Sequence, residues 1–134
     1  LFEEKVNQVT IKRWIRIAAF NGFVAVLCGA WGAHGLENVL DARMLNAFKT
    51  ASYYQMVHAL LLLLLAILMQ QKWLSPWLLN WSAVFCMIGI LFFSGSLYGL
   101  SLSGITMLGM ITPVGGLAFL LSWGFLAWAA MVKS

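Results

Sequence analysis

Four long apolar runs fill almost the whole of this 134-residue chain, roughly Trp14–Ala33, Ala51–Met69, Trp77–Leu100 and Thr112–Met131. Each is close to the ~20 residues that a helix needs to cross the hydrocarbon core of a bilayer. Hydrophobic residues make up 63% of the chain and charged residues only 9%. A soluble domain usually carries about 25% charged residues, so this chain cannot clothe itself for water. The sequence predicts an all-α membrane protein. Its four transmembrane helices form one antiparallel up-down bundle spanning residues 1–134 as a single integral domain.

Charge sets the expected orientation. Lys5, Lys12, Arg13 and Arg16 precede or open the first run, Arg43 and Lys49 follow it, Lys72 lies between the second and third, and Lys133 follows the fourth. With the N-terminus inside, six basic residues lie inside and two outside. The positive-inside rule therefore places both termini in the cytoplasm. Trp14, Trp73, Trp77, Trp81 and Trp128 then fall near the inner interface and Trp31 near the outer one, as aromatic belts do. Trp123 sits deeper, where packing is expected. The first run follows basic residues like a signal peptide, but it exceeds the usual h-region and reads as a membrane helix. The net charge of +4 does not imply nucleic acid, because the cations are spread over helix ends.

The connections carry start and stop signals. Ser75-Pro76 and Thr112-Pro113 open helices, with Ser75 able to cap. The polar segment Gly35–Thr50 has Leu36, Val39, Leu40, Leu45 and Phe48 roughly on one face. It is either a surface helix or an extension of the second span with Asp41 near its cap. Residues 101–111 are apolar, with Gly104 and Gly109, and should lie along the interface.

Helices in lipid associate where small residues let backbones approach. In the first helix Ala18, Gly22, Ala25, Gly29 and Gly32 form one such face. Gly95 and Gly99 make a Gly-x-x-x-Gly pair in the third, and Gly115, Ala118 and Ser122 share a side of the fourth. The leucine run Leu60–Leu65 has no small face and suits lipid contact.

Polar residues gather at one depth. His34 ends the first helix, Tyr54, Gln55 and His58 lie in the outer half of the second, Ser94, Ser96 and Tyr98 in that of the third, and Thr112 opens the fourth. Polar groups inside a membrane usually face the bundle interior. Two readings follow: a shallow ligand pocket, or interhelical hydrogen bonding with no ligand. Asn21 and Asn80 are expected to bond across helices. No metal is expected, since two histidines without a nearby carboxylate or thiolate make a thin site. Cys28 and Cys86 lie inside apolar runs without ligand spacing and read as core residues. No catalytic constellation, phosphate loop or intramembrane carboxylate is present, so neither an enzyme nor a cofactor is expected.

The segment Gly29-Ala30-Trp31-Gly32-Ala33-His34-Gly35-Leu36 resembles the Gly-Ala-Phe-Gly-Ala-His-Gly-Leu signature of the domain of unknown function 423 family. Tyr54-Gln55-x-x-His58-Ala59, Phe93-Ser94-Gly95-Ser96-Leu97-Tyr98 and Thr112-Pro113-Val114-Gly115-Gly116 resemble its further motifs, in family order. Trp31 departs from the usual phenylalanine, and residues 1–10 look like an extension. The resemblance implies a small four-helix bacterial inner-membrane protein, with eukaryotic relatives and no established activity. It implies an accessory or membrane-stabilising role in envelope homeostasis rather than an enzyme. The competing expectation is a binder or carrier of a lipid, quinone or similar amphipathic molecule in an outer-leaflet pocket. Membrane lipids are the expected partners, with a protein partner or a homo-oligomer beside them and no nucleic acid.

Overall fold

Four apolar runs become four long helices. The computed structural model describes residues 2–71 and 73–132, with the side chains of residues 2–6 left aside. Lys72 and Lys133, and the side chain of Lys5, therefore lie outside the described residues. Helix α1 is Phe2–His34, α2 is Ala42–Leu68, α3 is Pro76–Gly89, α4 is Gly95–Ser103 and α5 is Thr112–Met131. A π turn, Ile90–Ser94, joins α3 to α4 as one span, and a 3-10 turn, Thr106–Met110, leads into α5. Among the described residues, four helices are long and apolar enough to cross a membrane. The chain is a small integral membrane protein.

Two helices begin well before their apolar runs. Residues 2–13 contain neither Gly nor Pro, so nothing stops α1 from extending toward its N-terminus. Ile11 and Trp14 are buried there, and Trp14 Nε1 donates to Asn80 Oδ1 at 3.0 Å. In α2 the Asp41 carboxylate accepts from the Met44 backbone N–H at 2.8 Å. That cap fixes the helix start and decides between the two readings of the polar connection: residues 42–50 extend α2. Pro76 opens α3, but the Ser75 side chain makes no capping bond. Gly104, at φ +72, ends α4 in the left-handed conformation that glycine adopts without strain.

The closest-packed pairs are α1 with α2 and α3 with α5, and α2 also meets α3, α4 and the π turn. Because α2 is flanked on two sides, the leucine run is only half lipid-facing. Leu61, Leu62 and Leu65 are buried, whereas Leu60, Leu63 and Leu64 are exposed. The centre of the bundle is apolar, built from Leu62, Leu65, Leu79, Ala83 and Cys86.

The small residues divide. A Cβ built on Gly29 would lie 3.0 Å from Ser52 Oγ, one on Gly32 3.0 Å from a Phe48 ring carbon, and one on Gly99 3.0 Å from a Leu108 methyl. Gly115 is the tightest, since a Cβ there would overlap the Phe93 backbone nitrogen. Gly22 meets nothing within 4 Å, and Gly95 is exposed with only the Ile90 carbonyl of its own span at 3.9 Å. The expected Gly95–Gly99 packing pair is therefore corrected. The buried positions Leu79, Ala83, Cys86, Ile90 and Ser94 follow one another at spacings of four, three, four and four, which turns Ser94 inward and leaves Gly95 about 100° off that line.

Gly115→Ala should destabilise the bundle by about 1–3 kcal/mol, because backbone stands where the methyl would go. Gly95→Ala should not. Thermal melting in detergent reads both; equal melting temperatures would contradict the assigned contact.

Candidate functional site

A relay of three polar side chains ties three helices between the middle of the bundle and the end that carries residues 35–41. The Tyr98 hydroxyl donates to Gln55 Oε1 at 2.8 Å, and Gln55 Nε2 donates to Asn21 Oδ1 at 3.1 Å. Asn21 Nδ2 donates to the Ile17 carbonyl at 2.9 Å and approaches Met87 Sδ at 3.5 Å. Shorter links surround the relay. Ser52 Oγ donates to the Ala25 carbonyl at 2.9 Å, and Ser94 Oγ to the Ala51 carbonyl at 2.8 Å. Ser96 and Thr112 hydroxyls meet at 2.6 Å, tying α4 to α5. Among the described residues, every buried side-chain nitrogen and oxygen has a partner.

His34 does not join them. It is exposed, two residues beyond the inward-facing Gly32. Two residues turn a helix by about 200°, so shared depth does not mean a shared face.

His58 belongs to a second, aromatic group. Its Nδ1 lies 2.8 Å from the Tyr54 carbonyl, and Trp123 Nε1 lies 3.2 Å from its Nε2. An indole N–H only donates, so His58 Nε2 accepts and Nδ1 carries the proton toward the carbonyl. The imidazole is thus a neutral ring of one tautomer. It stacks on Phe119 with centroids 3.5 Å apart and planes 13° apart. Gly89 makes that stack possible, because a Cβ there would overlap the Phe119 ring.

Beside His58, a cavity of about 460 Å³ runs between α2 and α5. Tyr54, His58, Phe93, Phe119 and Trp123 form its aromatic wall. Leu117 and Leu120 edge it and are themselves 60% and 70% exposed, so the groove opens sideways where lipid would lie. Both His58 ring nitrogens are engaged. Among the described residues, no three His, Cys, Asp or Glu side chains are grouped to hold a metal ion.

The comparisons with known proteins bear on these segments. Residues 28–116 match the family model described as "Protein of unknown function (DUF423)". The chain is 43% identical over 113 residues to a UPF0382 membrane protein of Staphylococcus saprophyticus, covering 84% of this chain and 92% of that protein. It is 40% identical over 118 residues to the UPF0382 inner membrane protein YgdD of Escherichia coli strain K12, covering 88% of each. No solved structure matches.

Gln55, His58, Phe93 and Tyr98 lie inside the matched segment, whereas Asn21, Phe119 and Trp123 lie outside it. Sequence reasoning assigned Trp123 to packing, met Phe93 only as the start of a family motif, and did not single out Phe119, Ser52 or Gly89. The one available signal was Trp123 itself: an indole N–H at membrane depth has no water to bond, so it needs an acceptor from the protein, and His58 lies on another span. Nitrogen-15 NMR of His58 should show a protonated Nδ1 and a bare Nε2. Trp123→Phe should cost about 0.6–1.7 kcal/mol, the range for hydrogen bonds between membrane helices. A protonated Nε2 would contradict the assigned bond.

Proposed function

This chain belongs to the DUF423 family, and from that premise we propose that it is a non-enzymatic accessory protein of the bacterial inner membrane that stabilises the bilayer or a partner complex within it. One observation carries the reading. The polar side chains held inside the bundle are spent within the protein, Tyr98, Gln55 and Asn21 on one another and Ser52 and Ser94 on backbone carbonyls of neighbouring helices. A catalytic site needs polar groups aimed at where a substrate will react. Here those groups join helices instead. The charge distribution supports cytoplasmic termini, which would put the groove and the Tyr98 end of the relay in the outer half.

A second reading is a binder of an amphipathic molecule, and the groove between α2 and α5 favours it. The ligand would then lie beside the hydrogen-bonded relay rather than within it.

The accessory reading is tested by deleting the gene and challenging the cells with detergent and osmotic downshift. Survival should fall and be restored by the wild-type chain. His34→Ala should restore it equally, because His34 is exposed and outside the relay. Loss of rescue by His34→Ala at a normal protein level would contradict this reading and point to chemistry at that residue.

A further inference from the structure

The groove does not end at its aromatic wall. On α2, the positions Arg43, Asn46, Thr50, Tyr54 and His58 follow one another at spacings of three, four, four and four. Such spacing places them on one stripe of the helix. The stripe runs from an exposed cation and an exposed amide, through the half-buried Thr50, to the Tyr54 ring that walls the groove.

The dimensions fit one lipid in one leaflet. From Pro113 to Trp123 the groove follows α5 for about 15 Å, at 1.5 Å per residue. That is half of a hydrocarbon core of ~30 Å. The apolar run of α2 begins near Ala51, so Asn46 stands about 8 Å above it, at headgroup depth. Arg43 is higher by nearly one turn, and a long side chain of this kind can reach back along the surface while its charge stays in water. Its guanidinium suits a phosphate, and the Asn46 amide can donate to the same oxygens.

We propose that the groove and this stripe form a site for a single phospholipid of the leaflet at the 35–41 end. The phosphate lies against Arg43 and Asn46. The glycerol esters lie at Thr50 and at the hydroxyl of Tyr54, whose side chain is 38% exposed at the groove. One acyl chain runs along the groove over Phe93 and Phe119 and ends near Trp123. The proposal rests on the second reading above and names its ligand class. It is independent of the accessory role, which does not require a retained lipid.

Gly116 supplies the test. It lines the groove, and a Cβ there would meet only the Phe93 ring at 3.8 and 3.9 Å, an ordinary contact. Gly116→Phe should therefore fill the groove with little strain. The full chain is placed in nanodiscs containing phosphatidylglycerol with a photoactivatable group midway along one acyl chain. Labelled peptides are then mapped. The wild type should be labelled preferentially on 113–123 and 54–58, and native mass spectrometry should find one retained lipid. Gly116→Phe should lose both signals with an unchanged melting temperature, and Arg43→Gln should reduce retention about fivefold, the effect of one basic residue near an anionic surface. Labelling spread evenly over the outer faces of all four spans would overturn the proposal, leaving only bulk lipid. So would undiminished labelling in a folded Gly116→Phe. If that variant fails to fold, Leu120→Trp blocks the groove from its exposed edge and is read the same way.

Discussion

A polar side chain buried in a bilayer has no water to fall back on, so its partner must come from the protein. That constraint governs this bundle. Gln55 lies at its centre, accepting from Tyr98 and donating to Asn21, so that a single amide joins α1, α2 and α4. Losing either contact would leave a polar atom stranded in a medium that cannot solvate it, which costs more than the bond itself contributes. The network therefore fixes which faces of the helices meet. Lipid is as apolar as leucine, so hydrophobic burial alone would leave that choice open. Reciprocal bonds between Ser82 and Ser122, each hydroxyl 2.7 Å from the other's carbonyl, do the same for α3 and α5.

Close backbone approach completes the arrangement. Gly115 seats α5 against the π turn at Phe93, and Gly89 makes room for the Phe119 ring. Phe119 then supports His58, whose edge is held by Trp123. These contacts bridge α2 and α5, which are not a closely packed pair, and the aromatic groove is the space between them. The same device that joins the two halves of the bundle thus creates a lateral opening toward lipid.

Much of the fold was legible because transfer into lipid demands long, uninterrupted apolar runs, and four of them stand out. The polar cluster was legible in part. Tyr54, Gln55, His58 and Tyr98 share a depth that residue spacing alone reveals. Depth does not give direction, and His34 shares the depth but faces away. Gly95 was misplaced for a related reason: a Gly-x-x-x-Gly spacing shows that two glycines share a side of a helix, not which way that side points. The start of α2 was ambiguous because an amphipathic pattern suits both a surface helix and an extended span. Only the geometry at Asp41 separates them. Gly89 and Phe119 have no sequence signal, since their pairing exists only between helices.

The central claim is that the buried polar groups serve one another. A double-mutant cycle on Tyr98→Phe and Gln55→Leu, read as unfolding free energy in detergent, tests it most directly. The account predicts strong coupling of about 0.6–2 kcal/mol, with the double variant little worse than the poorer single variant. Costs that simply add would show that the two side chains do not depend on each other, and the relay would lose its place as the organising contact of the bundle.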